Sequence, residues 1–124
     1  MAKTFLMIAA INGLIAVAIG AFGAHLLKGR LIPDLLAIYH TAVQYHFYHL
    51  LALMFVGLLL LQWPTAALLT ISGYCFIIGI CLFSGSLYLL ALTDMRALGA
   101  ITPLGGLSLL AAWFTMAVGL YQHI

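Results

Sequence analysis

HTAVQYHFYHLLALMFVGLLLL, residues His40 to Leu61, decides what kind of molecule this chain makes. The second half is almost purely aliphatic, and such a run is a helix buried in protein or embedded in lipid. The first half is continuous with it and carries three of the five histidines, together with Gln44, Tyr45 and Tyr48. So many donors and acceptors are too polar to face lipid tails, where each unpaired polar group is costly. Any chemistry in the chain is expected here.

Composition extends that reading to the whole. The 124 residues are 67% hydrophobic and 5% charged, with a mean hydropathy of +1.28. A soluble domain carries about 25% charged residues, so this chain has nothing with which to build a hydrated surface. A bilayer must serve as its solvent. The length suits one domain, residues 1–124. A net charge of +2, scattered along the chain, excludes nucleic acid as a partner. Cys75 and Cys81 lie six residues apart in one apolar run. A helix separates them by about 9 Å, beyond disulfide reach, and they read as packing residues.

Upstream, Thr4 to Leu27 is a first apolar run, long enough for a core that needs about 20 helical residues. Lys3 before it resembles the start of a signal peptide, but the run is too long and ends in GAFGAH with no polar domain after it. It is expected to remain as the first membrane helix. Ala9, Gly13, Ala16, Gly20 and Ala24 recur on one of its faces, and small residues so spaced let another backbone approach closely. Gly13 and Gly20, with Gly85 further on, are the expected packing glycines, at close approaches within a protomer or between protomers. Lys28, Gly29 and Arg30 form a hydrophilic loop, and Pro33 with Asp34 marks the start of the second helix. That helix ends near Gln62. About 29 residues rise roughly 43 Å, so its first turns must tilt or lie among headgroups.

Downstream, Trp63, Pro64 and Thr65 make a short interfacial connection. The third helix follows, over about 66–92, and Asp94 and Arg96 mark the last loop. Pro103 disfavours a helical conformation at Thr102, so Leu98 to Thr102 is expected to be non-helical, with the fourth helix over 103–122. The fold class is an all-α integral membrane four-helix bundle with short loops, its helices near 4–27, 34–62, 66–92 and 103–122. Lys28, Arg30 and Arg96 lie on one side against Lys3 on the other, which favours both termini outside.

Four stretches carry a family resemblance: GAFGAH at 20–25, TAVQYHFYHLLAL at 41–53, FSGSLYLLALT at 83–93 and GAITPLGG at 99–106. Together, and in this order, they resemble the bacterial membrane family known as domain of unknown function 423, itself similar to the small eukaryotic transmembrane protein 256. The resemblance covers nearly the whole chain. It implies a four-helix protein of the bacterial inner membrane and implies no activity. It places His25, Gln44, His49, Ser84, Ser86 and Thr102 within family motifs. His46 stands where the family often has glutamine, which argues against an obligatory ligand there.

On a helical wheel His40, Gln44 and Tyr48 span about 80°, and Thr41, Tyr45 and His49 continue the face to about 180°. His46 projects about 60° further. Intramembrane polar groups usually face the bundle interior. The candidate site is therefore one polar cleft built from His25, His40, Gln44, Tyr45 and His49 and walled by Ser84, Ser86 and Thr102, open toward the Lys28 loop. One reading is interhelical hydrogen bonding that fixes the packing register. The other is a binding cleft for a lipid, a quinone or haem. A metal site lacks carboxylate or thiolate partners, and His46-x-x-His49 supplies two ligands where structural zinc takes four. Catalysis lacks a carboxylate pair, because Asp34 and Asp94 are the only acids. The expected function is non-enzymatic: a structural or assembly protein with no cofactor, among membrane lipids, in a homo-oligomer or a larger membrane complex.

Overall fold

The computed structural model describes residues 1–124 and contains four long helices joined by short turns. α1 covers Ala2–Phe22, α2 Pro33–Gln62, α3 Ala67–Thr93 and α4 Thr102–His123. Each is long and apolar enough to cross a membrane. Consecutive helices pack against one another, α1 on α2, α2 on α3 and α3 on α4. α2 and α3 form the central pair, and their spans are about twice as buried as those of α1 and α4.

The packing register follows from one spacing. On α2 the buried residues Leu35, Tyr39, Ala42, His46, His49, Leu53, Val56 and Leu60 step by four and three in alternation. On α4 Gly105, Leu109, Ala112, Met116 and Gly119 do the same. A seam with that alternation stays on one side of a helix for its whole length, so neighbouring helices pack side by side. The main apolar cluster includes Phe5, Leu53, Leu69, Phe76 and Leu109, drawing on all four helices.

Close approach occurs at glycines, but at others than expected. A Cβ at Gly73 would enter the Phe5 ring, one at Gly79 would meet Leu109, and one at Gly105 would strike the backbone of Leu82 and Phe83. Gly13 and Gly85 face open space within the chain, and Gly20 is in ordinary contact with Val43 at 3.5 Å. Within one chain these three are not points of close approach, which leaves a contact between protomers as their expected place. A small-residue stripe permits close packing, but the seam alone decides where a helix arrives, and these three lie beside it.

Two further differences lie at the helix ends. After Phe22 the first helix widens into a π-turn over Gly23–Leu27. A Cβ at Gly23 would fall inside the Tyr39 ring, whose hydroxyl donates to the Ile19 carbonyl at 2.6 Å. The segment expected to be non-helical, Leu98 to Thr102, is instead a 3-10 turn over Arg96–Ala100 leading directly into α4. Ile101 is right-handed helical and Pro103 sits in the first turn, where its missing N–H costs nothing. The local preference before proline is outweighed by continuation of the helix. On this side Asp34, in the first turn of α2, and Arg96, at the start of the 3-10 turn, form a 3.1 Å ion pair.

Candidate functional site

α2 presents two histidines to its seam, and they meet different neighbours. His46 is 4% exposed and points between α1 and α3. Its Nε2 lies 3.0 Å from Asn12 Oδ1 and its Nδ1 lies 3.0 Å from the Tyr88 hydroxyl. Asn12 Nδ2 donates to the Ile8 carbonyl at 2.9 Å, which leaves Oδ1 as the acceptor toward His46. The chain of donors is then fixed: Tyr88 O–H to His46 Nδ1, His46 Nε2–H to Asn12 Oδ1, Asn12 N–H to Ile8. Both ring nitrogens are satisfied. Three helices are tied at one imidazole.

His49, one turn on, is 7% exposed and turns toward α4. Its Nδ1 donates to the Tyr45 carbonyl at 2.7 Å, so Nε2 is left with a bare lone pair. No hydrogen bond reaches that nitrogen within the chain. Every fully enclosed side-chain nitrogen or oxygen has a partner, so Nε2 must border open space. His49 also lines a groove of about 600 Å3, together with Tyr45, Phe83, Pro103, Gly106, Leu107, Leu109, Leu110 and Trp113. It exists because α4 lies tightly on α3 while α2 and α4 have no substantial direct packing. The α3–α4 contact is drawn in by Gly79 and Gly105 and by three hydrogen bonds: Ser72 to the Ala112 carbonyl, Ser108 to the Cys75 carbonyl, and Ser86 with Thr102. Phe83 forms the floor, and its ring stacks on Tyr45 at 4.7 Å. The Trp113 ring sits 6.2 Å from the His49 ring.

The single cleft expected from the sequence is thereby divided. Tyr45 and His49 line the α2–α4 groove. Ser84 belongs to the other side, donating to the Ala42 carbonyl at 2.9 Å, and Ser86 and Thr102 satisfy each other at 2.7 Å. His25, His40 and Gln44 are exposed and line none of this. Gln44 donates to the Tyr48 hydroxyl one turn away at 2.6 Å. The rule that polar residues face the bundle interior fails for this stripe because it lies off the seam. Gln44 is instead paired locally, with Tyr48 of its own helix. Asn12, Tyr88, Phe83, Gly106 and Trp113 were not singled out in the sequence. A lone amide in the first apolar run was the available signal for Asn12. Phe83 and Gly106 fall within the stretches that carry the family resemblance, which was the signal available for them, and Trp113 gives none.

No three His, Cys, Asp or Glu side chains gather where they could hold a metal ion. What the fold and the groove define is a small integral membrane protein of four helices with an open groove between α2 and α4. Residues 19–106 match the family model described as "Protein of unknown function (DUF423)", and the chain belongs to that family. It is 43% identical over 122 residues to UPF0382 membrane protein YwdK of Bacillus subtilis, covering 98% of this chain and 99% of that one. It is 38% identical over 122 residues to a UPF0382 membrane protein of Staphylococcus haemolyticus, covering 98% of each. A UPF0382 membrane protein of Staphylococcus epidermidis is 41% identical over 116 residues, covering 94% of this chain and 93% of that one. No solved structure matches the chain.

Proposed function

We propose that this protein is a non-enzymatic binding module that holds a lipid-soluble small molecule in the groove between α2 and α4. The observation that carries this reading is His49 Nε2, a hydrogen-bond acceptor with no partner of its own, in a residue that is 7% exposed and lines the groove. A polar atom shielded from water and left without a partner costs free energy, up to about 1–3 kcal/mol when it is fully buried. A bound donor would remove that cost. The aromatic and aliphatic lining suits an apolar body, and pockets with few polar points are typical of small-molecule sites. The two acids are exposed beside Arg96, so no acid–base pair adjoins the groove. The setting we propose is the cytoplasmic membrane of a bacterium, on the strength of the bacterial relatives.

A structural or assembly role, in a homo-oligomer or a larger complex, is favoured by the complete hydrogen bonding at Asn12, His46, Tyr88, Ser72 and Ser86. Those bonds explain how the bundle holds together, and they leave His49 Nε2 unexplained. Gly106→Leu separates the readings. A Cβ there meets only the Phe83 ring, at 3.9 Å, so the side chain grows into the groove without disturbing backbone. The protein and this variant should be purified in mild detergent and their organic extracts compared by mass spectrometry. A molecule present with the parent and missing from the folded variant supports binding. Identical extracts favour the structural role.

A further inference from the structure

The groove has a polarity that narrows what can enter it. Beside the Tyr45 hydroxyl and the Trp113 N–H, its lining holds one dedicated acceptor, His49, whose Nδ1–H is committed to the Tyr45 carbonyl. A ligand whose only polar atoms are carbonyl or ether oxygens would set lone pair against lone pair at that nitrogen and could pair only with the Tyr45 or Trp113 donors. Phosphate or carboxylate would find no cation, since the lining contains no lysine or arginine. Haem would find an axial nitrogen whose other N–H is held by a carbonyl, as such ligands are, but nothing to neutralise its propionates.

The walls give a second restriction. Tyr45 and Phe83 are stacked with ring planes 27° apart, and Trp113 stands across from His49 at 65° to its plane. Gly106 leaves a strip without side chain over the Phe83 ring. That arrangement is a flat slot with an aromatic floor, in which a ring can lie with favourable stacking. The groove runs along α4 from Pro103 to Trp113, about 15 Å of helix. It is therefore long enough for an alkyl tail to follow the ring out along Leu107 and Leu110 toward lipid.

We infer that the ligand is a hydroxyaromatic lipid, a phenol or quinol head on an apolar tail, whose O–H donates to His49 Nε2. This rests on the binding reading above and sharpens it. It also predicts that His49 favours a quinol over the corresponding quinone, because the quinol carries a donor and the quinone only acceptors. One hydroxyl hydrogen of the quinol is what His49 would read, and no electron transfer is required of the protein.

The test uses three probes added to the intact protein in detergent micelles, with affinity read by calorimetric titration: 4-nonylphenol, its methyl ether 4-nonylanisole, and 1-dodecanol. The phenol and the anisole differ chiefly in the donor. A neutral hydrogen bond contributes about 0.5–1.5 kcal/mol, so the phenol should bind roughly threefold to tenfold more tightly. Dodecanol, which has the donor without the ring, should bind more weakly than the phenol. His49→Phe should bring the phenol down to the affinity of the anisole and leave the anisole unchanged. Should that variant not fold, the ranking on the parent protein decides alone. Equal affinity for phenol and anisole, both abolished by Gly106→Leu, would overturn the donor assignment while leaving the groove a binding site. Dodecanol matching the phenol would overturn the aromatic assignment. If no probe binds, the inference and the binding reading fall together.

Discussion

His46 and His49 are three residues apart, equally buried in character, and opposite in chemistry. His46 uses both nitrogens to join Asn12 and Tyr88, whereas His49 uses one on its own helix and keeps one free. Removing His46 should therefore destabilise the protein, and removing the exposed Gln44 should not. His46→Leu leaves Asn12 Oδ1 without its donor, at a cost of roughly 1–3 kcal/mol. Gln44→Leu breaks only the exposed pair with Tyr48 and should stay within about 0.5 kcal/mol of the parent. Reversible unfolding in mixed micelles measures both. A Gln44 variant as unstable as the His46 variant would place the polar stripe in the interior after all. The sequence made the concentration of polar groups on this helix plain. It did not separate the groups that bridge helices from those that pair locally, because a helical wheel has no origin until the packing partner is known.

At the scale of elements, the contact between α3 and α4 depends on residues that have almost no side chain. Gly105 and Gly79 differ in what an added methyl would meet. At Gly105 it meets the rigid backbone of Leu82 and Phe83, while at Gly79 it first meets the Leu109 side chain, which can rotate. Gly105→Ala is expected to cost more than Gly79→Ala, and in the upper part of the 1–3 kcal/mol typical of overpacking. Gly13→Ala and Gly85→Ala meet nothing and should be neutral or slightly stabilising, since alanine is the better helix former. Thermal unfolding of the four variants orders them. The helices themselves were legible from composition, since charges and turn residues occur between apolar runs and rarely within them. Their seams were less so: Ala9 and Ala16 are fully buried, but Gly13 and Gly20 of the same stripe are not. In lipid, apolarity no longer marks the inward face. Small size alone is an incomplete substitute.

For the whole molecule, four spans place the α1–α2 and α3–α4 loops on one side of the membrane. The Asp34–Arg96 pair ties the start of α2 to the α3–α4 connection. Being more than half exposed, it contributes little stability, but it makes the topology testable. Single cysteines at Lys28 and Arg96 should react with a membrane-impermeant maleimide from the same side, and reaction from opposite sides would contradict the four-helix arrangement. The groove is also a property of the whole. It arises from α2 and α4 each packing on α3 without closing on each other, a relation between helices distant in sequence. No local pattern encodes such a gap.

The two histidines offer the most direct measurement, nitrogen NMR of the imidazole rings in selectively labelled protein. His46 should appear as the neutral form with the proton on Nε2, and His49 as the neutral form with the proton on Nδ1. Addition of 4-nonylphenol should shift the His49 Nε2 resonance toward that of a hydrogen-bonded acceptor and leave both His46 nitrogens where they were. A His49 ring protonated on Nε2, or a phenol response at His46 with none at His49, would contradict the account.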